Sequence, residues 1–332
     1  MKVNGESIYG TSASLFEGLE WGRSTTKKKK IFLHVFDWPE DGELTLPGLV
    51  SRVKSARFLA KPEIKLDVNY KSGSAIISVP KEAPDAIASV IVLEFKAEPE
   101  VVRAPQISAE SDIFCNKLEV RLSSPIDGVE IRYTLDGSEP HANSTLYKKA
   151  FELEKTATVK CQIFRNSQAI SAMAGKTFEK VSPRPAEKNI RLAPGLLYSY
   201  FEGKWQMLPE FEKLKPSLSG TVDSIGLDPK KRLEDFGLRF EGFIVVPQDA
   251  VYKFYLTSDD GSRLYIGDKL VVDNDGLHGP IEVMAQVALQ AGPHPIIVKF
   301  FQLSGGAELD LCFSGPGIER QRVPSSSLFH KL

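Results

Sequence analysis

The sequence is poor in several features, and each shortage excludes a class of protein. Its 332 residues include only three cysteines, which are too few and too widely spaced for a disulfide framework or a CxxC zinc site. Basic and acidic side chains nearly cancel, 42 against 43, so the basic surplus of a nucleic-acid binder is missing. No apolar run approaches the roughly 20 residues that a bilayer requires, which predicts a soluble chain without a membrane span. The first residues also lack the apolar stretch of a signal peptide.

Two-residue periodicity dominates the chain. In 129–135 and in 158–163, apolar and polar residues alternate as they do in half-exposed strands, and 31–36 is a buried-strand run. Further strand candidates are 88–95, 251–257, 264–266, 270–272 and 295–302, separated by Asp-Gly and Gly-Asp turn signals. No stretch keeps a 3.6-residue period over three turns. The sequence therefore predicts an all-β fold, in which Cys115, Cys161 and Cys312 are small core residues.

Two polar, proline-containing stretches divide the chain, near residue 100 and near residue 187. The resulting segments have the size of single β-sandwiches, so the predicted architecture is three tandem antiparallel β-sandwich domains. With the resemblances described next, the predicted ranges are a junction at 1–22, sandwiches at 23–98 and 105–180, a linker at 181–190 and a third sandwich at 191–332.

The first 98 residues carry four motifs in order: Asn4–Thr11, Trp21–Thr25, Leu33–Pro39 and Leu46–Leu49. Together they resemble the end of an α-L-fucosidase of glycoside hydrolase family twenty-nine. The resemblance implies that 1–22 follows a catalytic (β/α) barrel and that 23–98 is the C-terminal β-sandwich of that family. Both catalytic carboxylates of the family lie upstream of this junction. No catalytic residue is therefore predicted in this chain, and the barrel of the same parent enzyme is an implied partner.

Three residues of this segment have side chains suited to acid–base chemistry, namely Glu6, Asp37 and His34. A retaining glycosidase needs two carboxyl groups about 5 Å apart on either side of the scissile bond. Glu6 and Asp37 instead fall on motif positions of the junction and the sandwich. We expect structural roles for both acids and a packed or edge position for His34.

The second segment contains Ile131–Pro140, in which a strand leads into an Asp136-Gly137 turn and an extended Glu139-Pro140 exit. This pattern resembles the small β-sandwich at the C-terminal end of chitobiases and β-hexosaminidases. Each conspicuous residue has a folding explanation. The segment is therefore interpreted as a spacer module.

The third segment has the most specific signature, and it resembles a protective-antigen-type domain, a β-sandwich attached to many glycosidases and adhesins. The motifs are Gly195–Gly203, Phe240–Ile244, Tyr252–Ile266, Asn274–His278 and Ala291–Ile296.

In sugar-binding adhesins of that type, adjacent aspartates hold a calcium ion that binds sugar hydroxyls, which makes Asp259 and Asp260 the candidate metal and carbohydrate ligands. Calcium takes six to eight oxygen ligands, so a second loop must contribute. The candidates there are Asp273, Asn274 and Asp275. Alternatively, both loops are hairpin turns whose carboxylates accept backbone hydrogen bonds. No ligand-like spacing supports metal binding by His278 or His294.

Sugar binding commonly uses an aromatic ring on which a pyranose stacks, and Trp205 is the candidate platform. The alternative is that Trp205 packs against the edge of the sandwich.

The resemblances together predict a non-catalytic accessory region of an α-L-fucosidase-like enzyme. Its partner would be a fucosylated glycan or polysaccharide, calcium is its candidate cofactor, and its location is extracellular or periplasmic. The rival predictions are a stand-alone calcium-dependent lectin and a set of purely structural spacers. The sugar, the linkage and the oligomeric state stay open.

Overall fold

The computed structural model describes residues 4–85 and 89–332, and within them the prediction of an all-β fold is confirmed. The described residues form 28 β-strands and three short 3-10 turns, with no α-helix among them. None of their helices is long and apolar enough to cross a membrane. The chain divides into two compact units, one of residues up to Glu110 with Leu118–Phe178 and one of Ser111–Lys117 with Glu179–Leu332.

The first pair of sheets lies in the first unit and is antiparallel throughout. One sheet has the order β1-β2-β7-β4 and the other the order β3-β6-β5. Their inner faces share a core that includes Leu33, Leu44, Ile77 and Leu93, each fully buried. The strands are β1 (Gly22–Lys27), β2 (Lys30–Val35), β3 (Glu43–Pro47), β4 (Val53–Phe58), β5 (Val68–Lys71), β6 (Ser74–Ser78) and β7 (Ser89–Phe95). The predicted strand 88–95 is therefore confirmed from Ser89 onward, and Ala88 lies outside the described residues.

The second group of strands forms two sheets, β13-β10-β8 and β12-β11-β14-β16-β9, with β15 beside β14. The predicted strands at 129–135 and 158–163 are confirmed as β11 and β14, whose alternating residues include the fully buried Val159 and Ile163. The strands are β8 (Gln106–Ala109), β9 (Ile113–Phe114), β10 (Leu118–Ser123), β11 (Glu130–Thr134), β12 (Thr145–Leu146), β13 (Phe151–Leu153), β14 (Ala157–Arg165), β15 (Gln168–Ala169) and β16 (Ala174–Lys180).

The segment near residue 100 is hydrogen-bonded to the first pair of sheets. The Val50 N–H donates to the Glu100 carbonyl at 3.0 Å, and the Val102 N–H donates to the Gly48 carbonyl at 2.8 Å. Val102 also packs with Ile163 and Ile170 of the second group. The first predicted sandwich and most of the second therefore share one compact unit, whereas 111–117 and 179–180 of the predicted second sandwich belong to the other unit.

The third pair of sheets makes up most of the second unit. The larger sheet has the order β17-β28-β20-β25-β22-β23, with β18 beside β20 and β19 beside β18, and the smaller has the order β24-β21-β26-β27. The strands are β17 (Leu192–Pro194), β18 (Leu196–Glu202), β19 (Leu218–Val222), β20 (Phe236–Val246), β21 (Ala250–Asp259), β22 (Ser262–Ile266), β23 (Lys269–Asn274), β24 (Ile281–Leu289), β25 (Gly292–Gln302), β26 (Glu308–Gly315), β27 (Ile318–Arg322) and β28 (Leu328–Lys331). Phe240, Phe254 and Phe300 meet in the core between the two sheets.

The predicted linker is extended but is hydrogen-bonded to this third sandwich. The Arg184 N–H donates to the Ala288 carbonyl and the Glu187 N–H donates to the Pro293 carbonyl, at 2.8 and 2.9 Å. The Arg184 guanidinium also lies 2.7 Å from the Asp268 carboxylate. These contacts tie the segment to the edge of the second unit.

The expectation for the cysteines is confirmed for only one of them. Cys161 is fully buried, and burial raises the pKa of its thiol to about 12. Cys115 and Cys312 are half-buried, because Cys115 follows the short strand β9 and Cys312 lies on the outward side of β26. None of the three forms a disulfide.

Candidate functional site

Four loops of the third sandwich meet at one end of its sheets. They are the segments 203–210, 259–261, 275–280 and 303–307. Backbone-to-carboxylate hydrogen bonds join them: the Leu208 N–H donates to Asp275 Oδ1 at 2.8 Å, the His278 N–H to Asp260 Oδ1 at 3.2 Å, and the Leu303 N–H to Asp260 Oδ2 at 2.9 Å. The loops are thus held by acidic side chains.

Asp260 lies at the centre of this loop end. Each of its carboxylate oxygens accepts a backbone N–H from a different loop, and its own N–H donates to Gln302 Oε1 at 2.9 Å. Gln302 is fully buried, and its Nε2 donates to the Ser304 and Gly306 carbonyls at 2.8 and 2.6 Å. These bonds satisfy both polar atoms of the buried Gln302 amide and fix loop 303–307 beside the aspartate pair.

Asp259 differs from its neighbour because no group of the described residues bonds to its carboxylate. Only 8% of Asp259 is exposed. The described residues give its side chain no hydrogen bond and no ion pair, and its carboxylate oxygens are not fully enclosed. The peptide bond between the two aspartates is cis. Burial raises the pKa of Asp259, the charge on Asp260 raises it further, and His278 lowers it. Gly306 lies beside the carboxylate, where an added Cβ would come within 3.1 Å of Asp259 Oδ2.

The three residues predicted as ligands from the second loop have other partners. Arg263 Nε lies 2.9 Å from Asp273 Oδ1, and Arg263 Nη2 lies 3.3 Å from Asp275 Oδ2. Asn274 donates through Nδ2 to the Ser258 hydroxyl and to the Ile281 carbonyl, at 3.0 and 3.1 Å. In this arrangement Asp273, Asn274 and Asp275 shape the loop that surrounds Asp260.

Within residues 4–85 and 89–332, no three side chains among His, Cys, Asp and Glu come together so as to hold one metal ion. A cation at Asp259 and Asp260 would therefore draw its remaining ligands from backbone carbonyls, water or a bound sugar. Such oxygens are the ligands that Ca²⁺ takes in proteins.

The two candidate histidines of the third sandwich both bond to backbone carbonyls, but only His278 lies at the loop end, since His294 is near the start of β25. Both ring nitrogens of His278 face carbonyl oxygens, Nδ1 that of Gly279 at 2.8 Å and Nε2 that of Asn274 at 3.0 Å. His294 is fully buried on β25, with Nε2 2.8 Å from the Gln290 carbonyl and Nδ1 without a partner. Burial lowers the pKa of His294.

Trp205 lies in the loop whose Leu208 bonds to Asp275. Its ring packs against Gly203 and meets Phe211 edge to face, with ring centroids 6.0 Å apart, and the side chain is half-buried. Leu208 is three residues away, a span of at most about 11 Å along an extended chain. Two other apolar side chains of the loop end are exposed, Met207 by 61% and Leu277 by 48%.

The acid–base candidates of the first segment lie in the first unit. Glu6 pairs with Lys30 at 2.8 Å, and Asp37 is exposed in the turn after β2. His34 is half-buried; burial lowers its pKa, and a hydrogen bond with the Ser7 backbone partly offsets this. Glu6 is thus ion-paired, Asp37 is exposed in a turn and His34 is packed on β2.

Three residues that shape this loop end were not predicted from the sequence, namely Gln302, Gly306 and Arg263. Gln302 ends the predicted strand 295–302, and a polar residue closing an apolar run was a usable signal. The positions of Gly306 and Arg263 depend on loop packing and on cross-strand register, respectively.

With this geometry established, comparison with protein-family models identifies two of the three segments. Residues 192–327 match the model of the PA14 domain, and residues 111–174 match the model of the chitobiase/beta-hexosaminidase C-terminal domain. The chain contains both domains. The PA14 domain is the third sandwich, with Asp259 and Asp260 at its loop end, so the resemblances predicted for the second and third segments are confirmed.

Two curated proteins are similar to parts of the chain. A beta-hexosaminidase of Porphyromonas gingivalis is 27% identical over 192 residues, covering 54% of this chain and 24% of that protein. Anti-sigma-I factor RsgI3 of Acetivibrio thermocellus is 28% identical over 127 residues, covering 36% of this chain and 19% of that protein. The chain thus spans only about a fifth to a quarter of the length of these relatives.

Among solved structures, the PA14 sugar-binding domain from an RTX adhesin aligns with 42% of this chain and 99% of its own, at 16% identity and a TM-score of 0.37. Alpha-L-fucosidase isoenzyme 1 from Paenibacillus thiaminolyticus aligns with 29% of this chain and 24% of its own, at 33% identity and a TM-score of 0.26.

Proposed function

We propose that this chain is a non-catalytic, carbohydrate-binding accessory region of a glycoside hydrolase, and that its PA14 domain binds a glycan through calcium held by Asp259 and Asp260. The observation that carries the proposal is Asp259, which is only 8% exposed, whose carboxylate has no hydrogen-bond or ion-pair partner among the described residues, and whose chain neighbour Asp260 is a second carboxylate. Burial and the neighbouring charge of Asp260 both disfavour the ionised form of this carboxylate, and a bound cation would offset them. A divalent cation at this point would remove the repulsion within the pair.

The same loop end suits a sugar. Calcium that keeps open coordination positions can take two hydroxyls of a pyranose as ligands. The exposed Met207 and Leu277 and the half-buried Trp205 supply apolar surface for the C–H face of the ring. Asp273, Asn274 and Asp275 support this site by holding the loop around Asp260.

The proposal also names a parent enzyme to which this region belongs. The motifs of the first segment favour an α-L-fucosidase-like parent, and the chitobiase/beta-hexosaminidase C-terminal domain fits attachment to a glycosidase. The ligand would then be a fucosylated glycan or polysaccharide, the catalytic barrel would be a partner in the same parent, and the location would be extracellular or periplasmic. A weakly binding module helps such an enzyme by raising the effective substrate concentration at the barrel.

The experiment is titration calorimetry of the full chain with CaCl₂, followed by a glycan array with calcium and with EGTA. We expect calcium binding, and glycan signal only with calcium. Asp259→Asn removes a charge while keeping the shape, so it should abolish both. Asp223→Asn, which alters an exposed aspartate of the same unit, should change neither.

Three results would count against this function. Glycan signal that persists in EGTA rejects the calcium-dependent mode, and absence of signal under both conditions favours purely structural spacers. Hydrolysis of an aryl α-L-fucoside by this chain alone would contradict its non-catalytic role.

A further inference from the structure

A cleft of about 440 Å³ opens in the first unit, far along the chain from the aspartate pair. One wall is the β5–β6 hairpin with the neighbouring segment 49–52, and the other is the β14–β15 hairpin with the loop 140–142. Its volume lies within the range of about 300 to 1,000 Å³ that is typical of small-molecule sites.

Hydrogen bonds fix the two walls relative to each other. Gln162, which is 3% exposed, donates through Nε2 to the Ser72 carbonyl at 2.7 Å and to the Ser171 carbonyl at 2.8 Å. The Gly73 backbone approaches Ser171 so closely that an added Cβ would lie 2.3 Å from the Ser171 carbonyl oxygen. The cleft is therefore a preformed feature of the unit.

The charged groups lining the cleft are cationic. Arg52 and Lys71 line it, and the described residues offer neither of them an ion-pair partner. His141 also lines it, and its Nδ1 accepts the Asn143 N–H at 3.2 Å, so its ring proton is on Nε2. No aspartate or glutamate is among the lining residues of the described chain.

The rest of the lining suits a sugar ring. The Arg52 guanidinium lies 4.0 Å from the centroid of the Tyr70 ring, and Tyr70 is fixed because its hydroxyl donates to the Ser51 carbonyl at 3.0 Å and accepts the Val53 N–H at 2.8 Å. Phe164 and Ile170 add apolar surface, and lining Ser and Gln side chains add hydrogen-bonding groups. An apolar body with a few polar groups and a cationic end is complementary to an amphipathic anion.

We propose that this cleft binds a carboxylated pyranose, with the sugar carboxylate at Arg52 and Lys71. Uronic acids and sialic acids share this chemistry. A planar guanidinium matches a carboxylate in two hydrogen bonds, and the unpaired lysine adds a second charge. The site is independent of calcium and of the PA14 loops.

The test is titration calorimetry of the full chain in EGTA, so that the aspartate pair contributes nothing. Sodium glucuronate and N-acetylneuraminate are compared with glucose and with sodium sulfate. We expect binding of at least one of the sugar acids, weakening as ionic strength rises. Arg52→Gln combined with Lys71→Gln should weaken it about tenfold or more.

Two further variants separate the cleft from general charge. Lys148→Gln with Lys149→Gln makes the same charge change at exposed positions of the unit and should leave affinity unchanged. Ala142→Trp should block the cleft without altering charge, with folding of each variant checked by its melting curve.

The proposal is overturned if glucose binds as tightly as the sugar acids, if sulfate binds as tightly as they do, if neither sugar acid binds, or if both double glutamine variants weaken binding equally. These outcomes leave the calcium-dependent function untouched, because calcium is absent throughout.

Discussion

The side-chain oxygen of Gln302 accepts the backbone N–H of Asp260 at 2.9 Å, while the nitrogen of the same amide holds the Ser304 and Gly306 carbonyls. One buried amide therefore couples the aspartate loop to the loop that follows β25. Because Gly306 lies beside the Asp259 carboxylate, the position of the second loop determines the space around that carboxylate. The site is built before any ligand arrives.

Replacing Gln302 with glutamate should disrupt this coupling. A carboxylate cannot donate to the two carbonyls, and it adds a third negative charge beside the aspartates. We expect a loss of about 2 kcal/mol or more in unfolding free energy and loss of calcium binding. Denaturant unfolding and calorimetry measure the two effects. Gln248→Glu is the control, since that side chain bonds a single carbonyl at an exposed position and should cost much less. Equal losses in both variants would refute the coupling.

Asp259→Asn should stabilise the calcium-free chain at neutral pH. The raised pKa of Asp259 means that the folded state binds a proton more readily than the unfolded state. The stability linked to this group is therefore present below the unfolded pKa near 3.8 and is lost as pH rises through the folded pKa. In EGTA at pH 7, the variant should be more stable than the parent, because the ionised Asp259 is disfavoured in the folded state, and it should show no stabilisation by calcium. A variant less stable than the parent in EGTA would contradict this.

Protonation of His294 should destabilise the PA14 domain in mild acid. Burial lowers its pKa, with Arg184 lowering it further and Gln290 and Glu187 opposing, so the unfolded state takes up the proton first. The contribution of His294 to the unfolding free energy is therefore fully present above the unfolded pKa of 6.5. It falls as pH drops toward the folded pKa, by at most about 1.4 kcal/mol per pH unit for one proton.

His294→Leu tests this dependence. It should lower stability at pH 7.5, because the Gln290 carbonyl loses its partner, yet flatten the dependence between pH 7 and 5. Urea unfolding of the full chain across that range measures the slope. An unchanged slope would show that His294 does not titrate in this window.

The strands were predictable where side chains alternate, since a half-buried sheet imposes a period of two residues. β11 and β14 illustrate this, and the long β21 extends its predicted core of 251–257 only at the ends. Residues 111–117 show the limit. They contain the short β9, which pairs in parallel with the end of β16 and belongs to the second unit. That placement depends on contacts distant in sequence, so no local pattern could reveal it.

The aspartate pair was predictable as a candidate site, but the roles of its neighbours were not. Asp273 lies opposite Arg263 across the β22–β23 pair, and this register gives its carboxylate an ion pair. Asp275 reaches the same guanidinium from the following loop. An Asp-rich turn has the same sequence pattern whether its carboxylates bind a cation or pair with an arginine.

Trp205→Ala tests the remaining predicted contact with sugar. If the pyranose face packs near this loop, the variant should weaken the free energy of glycan binding in the presence of calcium by about 1 to 3 kcal/mol. This is the usual cost of removing a buried aromatic side chain from an interface. Calcium affinity without glycan should stay unchanged, because Trp205 packs on Gly203 and Phe211 and contributes no oxygen. Leu233→Ala, at a side chain 76% exposed, is the matched apolar control. If glycan affinity is unchanged while the melting temperature falls, Trp205 is a packing residue of the sandwich edge.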